Sequence, residues 1–169
     1  MGPVGAVHDF GAARWYGDLR RLGVASPVAA IVSTASGNGF RLMTTDGAVF
    51  AFGDASFVGS LGSVGVRSAS PVVAATATVS GAGYHLMTAN GAVFTCGDAA
   101  FRVAATALLD PVASVAVSAD GRGYWLLARD GGIFTFGVPY ADSMAGLGTC
   151  AVLDVGVELA PTATGAATG

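Results

Sequence analysis

Lysine is absent: all eight basic residues are arginine, against 11 acidic residues, for a formal net charge of −3. The arginines are scattered and draw no stripe that could follow a phosphate backbone, so nucleic acid is not expected as a partner. The bias against lysine fits GC-rich codon usage better than selection for bidentate contacts. With only 11% charged residues, binding by bulk electrostatics is not expected either. Cysteine is nearly absent too. Cys96 and Cys150 are too few for a disulfide scaffold and lack the spacing of a metal site. The mean hydropathy is high, +0.63, yet Gly, Asp, Asn, Arg or Ser interrupts every apolar stretch before it reaches about 18 residues, so no membrane span is expected. The first residues lack a basic segment followed by an apolar one, and no signal peptide is read in this chain. No apolar period of 3.6 persists over a useful window, which argues against helices.

What the chain has is glycine, 26 residues, within a composition that is 53% hydrophobic. The glycines mark an internal repeat. Gly-Ala-Val occurs at Gly5, Gly47 and Gly91, and its variant Gly-Gly-Ile at Gly131; a Pro-Val pair opens a unit at Pro27, Pro71 and Pro111. This spacing suits about four short strands per unit. In the unit 71–110, residues 72–79 are small and β-branched (strand A) and end in a tight turn, Ser80-Gly81-Ala82-Gly83. Residues 84–88 form strand B, Asn90-Gly91 is a hairpin signal, residues 93–96 form strand C, and residues 101–106 a weaker strand D. The unit 27–70 reads alike, with Asp46-Gly47 in the hairpin and strand D at 57–61. In the unit 111–150 the hairpin is Asp130-Gly131 and strand D lies near 140–144, its start made irregular by Pro139.

The ends are partial units. Residues 1–26 are a half unit, with 5–11 matching strand C and its turn and 14–19 matching strand D. Residues 151–161 match strand A of a closing unit, and 162–169 form a tail. The expected fold is therefore all-β: four-stranded antiparallel blades in a propeller-like ring with the Ala-rich A strands innermost, three blades complete and one composite, closed by both termini. Residues 7–10 and 152–157 would then share a sheet, with a B strand drawn from 162–168 or from another subunit. Assembly of the chain into a larger ring or a filament is the alternative.

The phrase Gly123-Tyr-Trp-Leu-Leu-Ala-Arg-Asp-Gly-Gly-Ile-Phe-Thr-Phe-Gly137, with its copies from Gly39 and Gly83, resembles repeats found in many copies in large surface proteins of actinobacteria. The resemblance spans Gly5 to about Ala160. It implies a β-propeller-like array on a secreted or cell-surface protein, of a kind often attached to a separate catalytic or adhesive domain. Cys96 in place of Phe, and Val138-Pro139 in place of Asp-Ala, depart from the pattern at the junction of strands C and D.

No catalytic residue, metal ligand or cofactor site is expected. Asp54 and Asp98 end strand C, and Asp46, Asn90 and Asp130 sit in hairpins; without an Asp-x-Asp-x-Asp loop these are turn residues rather than calcium ligands. His8 and His85 fall at different repeat positions with no nucleophile at an informative spacing. Cys96 takes the place of Phe52 and Phe136 and reads as a buried apolar thiol. Ser118 to Trp125 is close to the Asp-box of sialidase-like propellers, a structural turn. Two groups are suited to a ligand: Arg14, Trp15 and Tyr16, and Arg122, Tyr124 and Trp125. Aromatic faces beside Arg forks can stack on sugars and bind carboxylates, so the candidate partner is a glycan or cell-wall polymer. Against this, Phe40, Tyr84 and Tyr124 occupy one repeated position that reads as core, and Trp125 reads as a contact between blades. The functional expectation is a non-enzymatic binding or scaffold module, with a lectin-like domain as the alternative.

Overall fold

A computed structural model describes residues 5–100, 110–121 and 123–137. These residues contain nine strands: β1 (Val28–Ser33), β2 (Gly39–Thr44), β3 (Val49–Gly53), β4 (Val72–Ala77), β5 (Gly83–Thr88), β6 (Val93–Gly97), β7 (Val112–Val117), β8 (Tyr124–Ala128) and β9 (Ile133–Phe136). They form three antiparallel sheets ordered β1-β2-β3, β4-β5-β6 and β7-β8-β9. The described chain is all-β, as the absence of a helical period led one to expect, and its only helical turn among the described residues is a 3-10 segment at Gly62–Val64.

The repeat is written into the backbone. Each first strand begins after a proline, whose carbonyl still accepts: Thr45 N–H donates to Pro27, Ala89 to Pro71 and Arg129 to Pro111. The register then slips by a bulge at the same place in each sheet, between Val28 and Ala30, Val72 and Ala74, and Val112 and Ser114. The hairpins turn on Gly47, Gly91 and Gly131, with φ of 83°, 85° and 84°, a left-handed conformation that only glycine adopts without strain. Thr44 and Thr88 hydroxyls tie these hairpins by donating to Asp46 and to Asn90.

The core lies between sheets rather than within them. All six residues of β2 and all six of β5 are buried, which means both faces of each middle strand are covered. Phe40 and Leu42 pack back onto Leu19, ahead of the first sheet. Val32, Met43 and Val49 pack forward onto Val72, Tyr84 and Leu86 of the second. Ala74, Met87 and Val93 pack forward in turn onto Val115, Val117, Tyr124 and Leu126 of the third. Backbone hydrogen bonds follow the same direction, Val72 N–H donating to Thr45 and Val112 N–H to Ala89.

Strand D differs from the expectation. Residues 57–61 form no strand, and nor do residues 5–11 or 14–19 of the half unit. The four-stranded blade is thus three-stranded in the described part of unit 27–70. Gly17 and Gly59, with φ of 143° and 133°, break the extended run, and the segment leaves its own sheet for the next one. Gly17 sits on Phe52 and Gly59 beside Cys96, while the Tyr84 hydroxyl donates to the Gly59 carbonyl. The half unit nevertheless repeats the unit 27–70: Leu19 N–H donates to Gly5 as Leu61 N–H does to Gly47, each at 3.1 Å. The closing strand A (151–161), the tail, and the D strands at 101–106 and 140–144 lie outside the described residues, as does Cys150.

Gly47 combines positive φ with a backbone against which Leu61 is packed, so that a methyl group there would collide with the leucine side chain. Gly47→Ala should therefore cost about 2 to 3 kcal/mol, from backbone strain plus overpacking. Urea titration would register this as a lower midpoint with an unchanged slope, and an unshifted midpoint would contradict the packing described.

Candidate functional site

The polar side chains of the repeat are used at the joints. At the turn between first and second strands, Thr34 Oγ1 donates to Asp54 Oδ1 (2.9 Å) and Ser36 Oγ to Asp54 Oδ2 (2.5 Å). The second unit repeats this, Thr78 donating to Asp98 Oδ1 at 2.8 Å and Ser80 to Asp98 Oδ2. These hydroxyls, Ser36 and Ser80 foremost, hold both carboxyls below the usual range. In the third unit the position of Asp98 is taken by Val138, outside the described residues, and the turn closes on itself: Ser118 Oγ donates to Asp120 Oδ1 at 2.6 Å. That is how the near Asp-box is used, as a turn. Among the described residues no group of three or more His, Cys, Asp or Glu is placed to hold a metal ion.

One repeat position carries the joint between sheets. Arg41, His85 and Trp125 each follow the buried aromatic of the middle strand. Arg41 is 2% exposed; its Nε donates to the Ser56 carbonyl and its Nη2 to the Gly81 carbonyl of the next unit, both at 2.9 Å. Its guanidinium carbon stands 5.4 Å from the centre of the Tyr84 ring, within cation–π range. Nη1 has no hydrogen-bond partner. His85, 5% exposed, pairs through Nε2 with the Ala100 carbonyl at 3.2 Å and places its ring 5.9 Å from that of Tyr124 in the third sheet. Its Nδ1 is buried without a partner, and burial pushes its pKa down. Trp125 is half-buried on β8, opposite Thr135.

The two aromatic groups fall in different places. Trp15 is 39% exposed, and the guanidinium 4.5 Å from its ring centre is that of Arg21, not Arg14. Arg14 is exposed. Tyr16 meets Phe40 edge-on at 6.4 Å, and its hydroxyl reaches Asn38 Oδ1 at 3.5 Å. Tyr124 is 1% exposed and stacks on Phe136 at 4.9 Å. Arg122 lies outside the described residues. Trp15 and Tyr16 thus belong to the segment ahead of the first sheet, and Tyr124 and Trp125 to the third sheet. Sequence reasoning missed Phe57. It sits ten residues after Gly47, as Trp15 does after Gly5, and is 53% exposed; the repeat itself was the signal, but a strand D would have hidden the parallel. Cys96 is half-buried beside Gly59, its thiol pushed up by burial.

This geometry defines a class: an all-β repeat in which successive three-stranded sheets pack face to face. No protein-family model and no curated protein matches the chain. Its fold is similar to a solved structure, that of Chaetomium thermophilum Sqt1 bound to the N-terminus of the ribosomal protein L10, with a TM-score of 0.50 and 14% identity over 66% of this chain and 33% of that one. The chain spans about a third of that structure, and the likeness is one of fold alone.

The His85 pKa is lowered, so between that value and the unfolded 6.5 the unfolded chain takes up the proton more readily than the folded one. Its contribution to stability is complete above pH 6.5 and declines as pH falls. The measurement is unfolding free energy from pH 7.5 to 5. His85→Phe should flatten the slope near pH 6; an unchanged slope would show that the imidazole is not held neutral at the joint.

Proposed function

We propose that this chain is a non-enzymatic binding or scaffold module, built as a propeller-like ring of repeated units and carried on the secreted or cell-surface kind of protein that the repeat resembles. The observation that carries the reading is the structural use of the polar repeat residues: Asp54 and Asp98 clasp turns, and Arg41 and His85 hold neighbouring segments and sheets. In this ring the first strands line the axis, and the segments after the third strands form the outer rim. The two described segments present an aromatic at the same point, Trp15 and Phe57.

A lectin-like function is the second reading, favoured by the Arg21 guanidinium stacked over the exposed Trp15 ring. A planar cation beside an aromatic face offers both a stacking surface and a bidentate fork, the pair of contacts that an acidic sugar of a cell-wall polymer would use. Self-association into a larger ring or filament is the competing use of the same repeat. A polypeptide also belongs among the ligands to be tried, since the Sqt1 structure holds one.

The two readings separate on a glycan array carrying cell-wall fragments. The lectin reading expects signal that falls at least tenfold in Trp15→Ala while Trp125→Ala, a joint residue, acts through stability instead. A pure scaffold gives no signal in any form. Hydrolysis of muropeptide or ester substrates by the purified chain would overturn both.

A further inference from the structure

Residues 5–24 and 47–66 are two copies of one segment, and where their side chains differ the fold does not depend on the difference. Leu19 N–H donates to the Gly5 carbonyl and Val24 N–H to that of Leu19; Leu61 donates to Gly47 and Val66 to Leu61 in the same way. Gly23 and Gly65 turn the chain alike, with φ of 68° and 71°. One more bond sets the tip: Asp18 Oδ1 accepts from Arg21 N–H at 3.0 Å, and Ser60 Oγ from Ser63 N–H at 3.1 Å. Arg21 and Ser63 are therefore carried at the same point of the same turn. The counterparts of Arg14, Arg20 and Arg21 are Ser56, Gly62 and Ser63, and all six are exposed. The second copy keeps the shape without an arginine, so the three guanidinium groups are additions to the fold rather than parts of it. Exposure, shared by both copies, belongs to the positions themselves.

The chemistry of the two tips differs. Ser63 Oγ donates back to the Ser60 carbonyl at 2.8 Å, so that tip carries no charge. Arg21 instead lies over the exposed Trp15 indole. Such a contact uses the flat face of the guanidinium, and the in-plane N–H groups stay available to an acceptor. With three of the chain's eight arginines and one acid, Asp18, residues 14–21 are locally cationic in a chain of net charge −3, so this patch selects a negative ligand. The geometry points to residues 14–21 as one acidic-glycan site per chain: Arg21 takes the carboxylate of a uronic acid and the exposed Trp15 ring takes the C–H face of the sugar. Arg14 and Arg20 add positive field for carboxylates further along the polymer. The matching point of the next segment, Phe57 with Ser63, does not bind. The inference rests on the lectin reading and deepens it, making charge a requirement and the site single rather than one per unit. An extended acidic peptide fits less well, because residues 5–26 contain no strand whose edge it could join.

The test is calorimetric titration of the intact chain with a galacturonate oligomer and with its methyl ester, which keeps the rings and removes the charge. The acid form should bind at one site, and the ester at least about tenfold more weakly. Arg21→Ser copies the turn of the second segment, so it should lose the same factor with Tm unchanged. The converse graft, Phe57→Trp with Ser63→Arg, should raise the stoichiometry from one to two. Equal affinity for acid and ester, lost in Trp15→Ala, would overturn the charge requirement and leave the lectin reading standing. No binding of either form would overturn both. More than one site in the intact chain, or still one in the grafted chain, would show that the pair of Trp15 and Arg21 does not define the site. Polyglutamate bound more tightly than the galacturonate oligomer, and lost in Arg21→Ser, would overturn the glycan and assign the patch to an acidic polypeptide.

Discussion

Double-sided burial of the middle strands is the constraint on which the rest of this structure depends. A three-stranded sheet of five- and six-residue strands cannot shield both faces of its own central strand. β2 and β5 are nevertheless buried along their whole length, because each is pressed between the unit before and the unit after. The hydrophobic contribution therefore belongs to pairs of units, as in repeat proteins generally. The apolar, charge-poor composition follows from this, since a strand covered on both faces has no solvent side on which to place charge.

The buried threonines of these strands, Thr44 and Thr88, bond within their own hairpins, and the two longer polar residues, Arg41 and His85, reach across the joint. Arg41 satisfies two carbonyls, one on either side of the boundary between first and second sheets, and lies against the Tyr84 ring. His85 is shorter and stands at the equivalent joint of the second and third sheets, where it meets one carbonyl and the Tyr124 ring. The repeat thus tolerates variation at this position as long as the side chain is long or flat enough to touch the next aromatic. The hairpin and turn clasps are the local counterpart. They fix each sheet's geometry with threonine, serine and a carboxylate, and they explain the regular acidic residues without any bound ion.

The sequence made most of the sheet structure legible. Prolines opened the first strands and Asn-Gly or Asp-Gly marked the hairpins. The alternation of short apolar runs with glycine-rich turns located β4, β5 and β6 to within two residues, and the repeat carried that reading to the other two sheets; β4 ends two residues early because Thr78 turns to bond Asp98 instead of extending the strand. Strand D was not legible, because its apolar residues suit an extended segment packed on the next sheet as well as they suit a ladder. Only the close approach of Gly17 to Phe52 and of Gly59 to Cys96 tells the two apart. The candidate site was legible in kind but not in membership. Tyr124 and Trp15 look alike in sequence, yet one is core and the other surface, and the partner of Trp15 comes from Arg21, six residues on, rather than from its neighbour Arg14.

The central claim is that each sheet is held by its neighbours through the middle strands. The most direct measurement is native-state hydrogen exchange of the intact chain with and without Arg41→Ala. Arg41 belongs to β2, but its contacts with Gly81 and Tyr84 lie at the entrance to β5. The account predicts that the substitution speeds exchange in β4 and β5 as much as in β1 and β2. Faster exchange confined to β1, β2 and β3, with β5 as protected as before, would contradict it.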